Sequence, residues 1–177
     1  MILGVTGGLA CGKTTVSSFF SKFGFKVINA DKIAHKLLDY RTRRNLRKII
    51  FNNETEFKKL ERLTHPFIID QIKQSIKKSR EENFDLIIDA PLLIEAGLDK
   101  LTDFLIVVKA DRFVQLKRAK EYLGLSRAQA VKLIKRQMPL RKKIKQADFV
   151  IDNRGSLADM KKQARYIWRE IKNKGEK

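Results

Sequence analysis

The sequence of 177 residues has one cysteine, three prolines and, against 39 Lys and Arg, only 20 Asp and Glu. The lone Cys11 excludes an internal disulfide framework and a cysteine-based zinc finger. No apolar run approaches the roughly 18–20 residues that a membrane helix needs, so no membrane partner is expected. The opening MILGVTGG has no basic n-region and no long apolar stretch, so it is not read as a signal peptide. A soluble, cytoplasmic protein is the default expectation. Gly/Ser/Pro linkers, internal repeats and low-complexity tracts are missing too, which points to a single domain over 1–177. Disorder is excluded by composition, since 43% of the chain is hydrophobic and 11 residues are Phe.

What is abundant is positive charge. The formal net charge is +19, and it is unevenly spread. Residues 36–80 carry +8 and 112–147 carry +11, while 81–111 between them carry −6. A basic surface attracts any polyanion, so charge alone leaves nucleic acid and small phosphates both open.

Strand and helix patterns alternate along the chain. Short apolar runs at 2–5, 25–28, 84–89, 104–108 and 149–151 read as five strands. Helices are expected from about Lys13 (ended by Gly24), over 32–38, through a basic region at 42–50 and 55–64, and from about Pro66 to Arg80 with Pro66 in the first turn. Further helices are expected over 111–121, over 126–137 capped by Ser126, over 139–146, and from Ser156 onward. Uninterrupted apolar strands alternating with helices imply an α/β fold: a parallel five-stranded sheet with helices on both faces. Ligands of such sheets bind at the carboxyl ends of the strands, which here carry Gly7, Asn29, Asp31, Asp89 and Asn153.

Residues 7–14, GGLACGKT, satisfy G-x-x-x-x-G-K-[ST] between an expected strand and an expected helix, the context of a P-loop. Backbone N–H groups of Gly8, Leu9, Ala10, Cys11 and Gly12 are expected to wrap a phosphate, with the helix N-terminus adding its positive end. Lys13 would reach the β- and γ-phosphates, the Thr14 hydroxyl would ligate Mg²⁺, and Thr15 extends the loop into the helix. Cys11 is open to two readings: a small residue that fits, or a thiol acidified by the helix N-terminus. Base-selective GTPase chemistry is not expected, because N-K-x-D is missing. Asp31, after the second strand, is placed to orient an acceptor hydroxyl and take its proton, or to cap the next helix. Asp89 ends the third strand as a Walker-B-like acid near Mg²⁺, or as a local cap.

In series, VTGGLACGKTTV (5–16), VINADKIAHKLL (27–38), HPFI (65–68), DAPLLIEAGL (89–98), Gln137 before a basic stretch, and ADFVIDNRGSL (147–157) resemble the dephospho-CoA kinase family over nearly the whole chain. The resemblance implies a P-loop kinase with a nucleotide core, a helical CoA-binding region (32–80) and a lid (112–147). It implies transfer of the ATP γ-phosphate to the ribose 3′-hydroxyl of dephospho-CoA with Mg²⁺, giving CoA and ADP in the last step of coenzyme A biosynthesis. Asp31 matches the family's catalytic acid, and the loop around Asn153 lies where these kinases hold adenine. Four features depart from the family pattern. Asn29 replaces a carboxylate, Ala10 replaces a usual glycine and is tolerable with a negative φ, Tyr122 stands where the lid usually has an Arg, and the stretch between Asp31 and His65 is short. Arg112, Arg136 or Arg141 is expected to supply the charge missing at Tyr122.

On this reading Lys13 and Asp31 are catalytic, Thr14 and Asp89 hold the metal, and lid cations including Arg118 and Arg136 meet substrate phosphates. His65, Leu92 and Leu93 are candidate acceptor contacts, although a structural His and core leucines are the alternative. Ile94 is open to the same two readings, Trp168 is expected in the core, and Glu95 either pairs with a basic residue or is solvated. The expected partners are ATP and dephospho-CoA, with no specific nucleic acid and a monomer as default. Two rival functions remain: another small-molecule or nucleoside-monophosphate P-loop kinase, and a P-loop nucleic-acid-binding protein. A catalytically weakened homologue is a third.

Overall fold

A computed structural model describes residues 1–38, 45, 51 and 53–175. Five strands form one sheet: β1 (Ile2–Gly7), β2 (Lys26–Asn29), β3 (Leu86–Asp89), β4 (Phe104–Lys109) and β5 (Phe149–Asp152). Their spatial order is β2-β3-β1-β4-β5 and every neighbouring pair is parallel. β1, flanked on both sides, is wholly buried, which is why its sequence is apolar without alternation. β2 lies at the edge and is partly exposed, with Val27 reaching solvent.

Period-2 geometry splits the apolar residues between the two faces. On one face Leu3, Val5, Ile87, Ile106, Val108 and Ile151 meet α1 (Lys13–Ser21) and the last helix (Leu157–Gly175). On the other, Ile2, Leu86, Ile88, Leu105 and Val107 meet Ile72 and Ile76 of a long central helix. Trp168 stacks on Phe23 with ring centroids 5.5 Å apart and meets the edge of Phe25 at 5.3 Å, so it is a core residue as expected.

The short helix α2 (Ala30–Leu37) follows β2 directly. The central helix is longer than its sequence pattern predicts. α3 runs unbroken from Glu54 to Glu81, with Pro66 in its interior rather than in a first turn. Proline there removes one N–H from the i→i−4 ladder. Two features offset that loss: the Asn53 side chain caps the start by accepting from the Glu56 N–H at 3.0 Å, and Ile72 and Ile76 bury the far end. The expected helix at 42–50 lies outside the described residues, apart from Asn45.

The basic 112–147 stretch folds as α4 (Arg112–Leu123), α5 (Arg127–Arg136) and α6 (Leu140–Ile144), and the last helix is α7. Ser126 caps α5 in a reciprocal box with Gln129, as its sequence predicts. Ala119, Leu125 and Ala130 make a small separate core that packs on Leu9 and Ala10 of the β1–α1 loop. Among the described residues no helix is long and apolar enough to cross a membrane.

Candidate active site

The loop between β1 and α1 turns on glycines where nothing else fits. Gly12 has φ +94 and caps α1 without any side-chain bond, leaving the first-turn N–H groups available to an anion. A Cβ there would collide with the Asn153 amide. Lys13 Nζ curls back to donate to Gly8 O at 3.0 Å, across the loop. Gly12, Lys13, Thr14 and Thr15 open onto a cleft of about 730 Å³, which is bounded across from them by Arg118, Arg136 and Gln137.

At the ends of β2 and β3, Asn29 lies in register with Asp89. Asn29 Nδ2 donates to Asp89 Oδ2 at 2.9 Å, while its Oδ1 accepts from the Lys32 N–H at 2.9 Å and so caps α2. Thus Asn29, not Asp31, is the cap, and the Asp31 carboxylate in the first turn is left for other work. Asp89 is 1% exposed and caps nothing. Asp31 opens onto the cleft, yet protein atoms crowd its carboxyl. Desolvation pushes its pKa up, with Asp89 adding to the rise and Lys13 opposing it.

Asp31 also lines a second cavity, of about 280 Å³. Its walls are largely apolar, from Leu60, Ile68, Ile69 and Leu98, with Glu61, Thr64 and His65 as polar groups. Asp31, Phe57, Glu61, Pro91 and Leu92 line both spaces. His65 is 4.0 Å from Glu61 across one turn of α3. Leu92 lines the cavity, but Leu93 is fully buried against the sheet, Ile94 is buried too, and neither lines either space. The core reading therefore holds for Leu93 and Ile94, which the turn after β3 packs into the cluster under the sheet.

One further expectation is corrected, that of a negative φ at Ala10. Ala10 has φ +53, so it occupies the left-handed conformation that glycine takes without cost, and packs against the small core of the basic helices. Cys11 is fully buried, and desolvation raises its thiol pKa despite Lys13 and nearby backbone donors, which favours the reading of a small residue that fits over an acidified thiol. Asn153 is 5% exposed, and both ends of its amide are engaged within the protein. Its Nδ2 donates to Cys11 O at 2.8 Å and its Oδ1 accepts from Arg118 at 3.4 Å. It braces the phosphate loop and also lines the cleft.

Of the basic candidates, Arg118 and Arg136 line the cleft, whereas Arg112 and Arg141 do not. Arg118 NH1 is buried with no hydrogen-bond partner. Arg136 pairs with Glu54 at the start of α3 and lies 3.9 Å over the Phe57 ring. Tyr122, 76% exposed, sits at the rim of the cleft. The sequence reading missed Glu61, Thr64 and Phe57, and also Lys143, which is 0% exposed and pairs with Glu95 at 2.9 Å. Inward spacing with Leu140 and Ile144 was the available signal for Lys143, hidden in a run of solvent-facing cations. Of the two readings of Glu95, pairing with a basic residue is the one the structure shows.

A Mg²⁺ ion is ordinarily held by one or two protein oxygens plus phosphates and water. The Thr14 hydroxyl lines the cleft and is of the right donor type, whereas Asp89, held by Asn29, is 1% exposed and lines neither space, so its reach to an ion there is through water. Among the described residues no cluster of three or more His, Cys, Asp or Glu could hold a metal by itself.

Comparison with known proteins gives consistent results. The family model described as dephospho-CoA kinase matches residues 1–42 and 40–159. The dephospho-CoA kinase of Fusobacterium nucleatum is 38% identical, covering 92% of this chain and 94% of its own. That of Carboxydothermus hydrogenoformans is 37% identical over 92% and 90%. Among solved structures, dephospho-CoA kinase from Campylobacter jejuni superposes with a TM-score of 0.71 at 31% identity, over 98% of both chains. Deoxyadenosine kinase from M. mycoides, at 18% identity and a TM-score of 0.59, shares the fold.

Proposed function

The chain belongs to the dephospho-CoA kinase family, and from that premise we propose that it transfers the ATP γ-phosphate to the ribose 3′-hydroxyl of dephospho-CoA, giving CoA and ADP. The observation that carries the reading is the position of Asp31, at the junction of the cleft over the phosphate loop and a largely apolar cavity. A phosphoryl donor in one and an acceptor in the other would meet at its carboxylate.

The residues divide the work accordingly. Backbone N–H groups from Gly8 to Thr15 and the α1 N-terminus cradle the triphosphate, with Lys13 neutralising its end. Asp31 orients the acceptor hydroxyl and takes its proton as the in-line displacement proceeds. A raised pKa suits it to that role, because a base works best near the pH at which it operates. Arg118, with its unsatisfied NH1, and Arg136 offset charge on the transferred group. His65 and Leu92 line the space for the acceptor's nucleoside or pantetheine portion. Thr14 and Asp89 would hold Mg²⁺, which when bound neutralises phosphate charge and aligns the γ-phosphate.

Asn29 takes no part in metal binding on this reading. Its amide fixes Asp89 and aims α2, so replacement of the usual carboxylate leaves the geometry intact. The test is ADP release with Mg-ATP across an acceptor panel. Turnover is expected with dephospho-CoA and not with AMP, shikimate or gluconate. Turnover with one of those instead would replace this reading with that of another small-molecule kinase.

A further inference from the structure

Lys143 is the one cation of its run, Arg141 to Lys145, that is wholly enclosed. Its ammonium donates to the Pro91 carbonyl and, at 3.0 Å, to Glu95 Oε2. Pro91 O also accepts from the Thr6 hydroxyl of β1 at 3.3 Å. Glu95 Oε1 in turn accepts from the Met138 N–H at 2.8 Å, in the segment that joins α5 to α6. Three parts of the fold thus converge on one buried charge: the end of β1, the segment leaving β3, and the root of the basic helices.

Burying an ammonium is costly, and a buried pair is commonly no more stabilising than apolar residues of similar volume. Stability alone is therefore a weak reason for this arrangement. Its geometric consequence is specific. Pro91 and Leu92, held from behind by Lys143 and Glu95, form the wall shared by the cleft and the apolar cavity beside Asp31. Lys143 is 0% exposed, so it cannot touch a substrate itself. Burial lowers its pKa, and Glu95 offsets that only in part.

We propose that Lys143, pinned by Glu95, is a positioning residue for phosphoryl transfer: it sets the Pro91–Leu92 wall that seats the acceptor against Asp31 and couples that wall to the basic helices. The inference rests on the kinase reading above. A wall that slackens by about an ångström misplaces the acceptor hydroxyl and can cost on the order of 10² in rate. It also admits water as a competing acceptor.

The experiment compares the parent with Lys143→Met, Glu95→Gln and the double variant. ATP affinity, kcat and KM for dephospho-CoA, the ratio of ADP released to CoA formed, and melting temperature are measured for each. Lys143→Met is expected to keep ATP affinity, to lose about 10²-fold in kcat/KM for dephospho-CoA, and to release more ADP than it forms CoA. The double variant, with neither charge, is expected to regain melting temperature but not kcat/KM. Activity that returns with melting temperature in the double variant would reduce the pair to a structural role and overturn the proposal. So would a folded single variant with parental KM and coupling. Where Lys143→Met does not fold, Glu95→Gln keeps the side-chain shape and carries the same expectation. A parent inactive on dephospho-CoA would overturn the acceptor assignment, and this inference with it.

Discussion

Asn29 and Asp31 divide labour that a single side chain could not perform. The Asn29 carbonyl oxygen caps α2 and its amide nitrogen holds Asp89, so Asp31 is freed from capping and stands at the junction of the two spaces. Asp31 is solvent-exposed at the cleft, and crowding by neighbouring atoms raises its pKa. Its folded pKa lies above the unfolded value, so the stability it contributes is full at low pH and is lost as pH rises through the folded pKa. Asp31→Asn is expected to lower turnover by about 10²–10⁴-fold, with ATP binding retained. Near-parental turnover would remove Asp31 from the mechanism. In the parent, kcat/KM is expected to fall on the acid side through a pKa above the ordinary carboxylate range, because the ionised base is the active form. The residues that make the loop and Asp31 were legible because the chemistry admits few substitutes. Ala10 and Asn153 were not: a positive φ and an amide bonded to Cys11 O across 142 positions are tertiary facts.

The elements show where local pattern yields to packing. Ser126 ends its loop in a capping box that could be read directly, since S-x-x-Q is itself the geometry. Pro66 misled, because proline is ordinarily a start or break signal, and here caps and burial at the two ends of α3 carry the helix through it. The Arg62 carbonyl lacks an i+4 N–H donor at that point. Pro66→Ala restores one, and is expected to stabilise the protein by about 1–3 kcal/mol in chemical denaturation. An unchanged or lower midpoint would mean that the ring's contacts or its restriction of the unfolded chain outweigh the lost bond. The strands were legible in number and order along the chain. Their spatial order was not, since β1 sits at the centre and β2 at the edge by tertiary pairing alone.

Over the whole molecule, the +19 charge resolves into geometry. The acidic 81–111 stretch supplies β3 and the Pro91–Leu92 wall, and the basic helices close the other side of the cleft with Arg118 and Arg136. Both proposed substrates are polyanions, so kcat/KM is expected to fall as salt rises and screens the surface within about 10 Å at 0.1 M. A flat salt profile would mean that the surface charge takes no part in capture. Along α7 the surface charge is partly absorbed by the core's aromatic rim, with Lys161 over the Phe19 ring, Lys172 over Trp168 and Lys174 over Phe149. The central claim is that the phosphate of ATP ends on the acceptor's ribose, and the most direct measurement is ³¹P NMR of the product formed from Mg-ATP and dephospho-CoA. A new 3′-phosphomonoester is expected to appear one for one with ADP. ADP accumulating with inorganic phosphate alone, or no new phosphomonoester on dephospho-CoA, would contradict it.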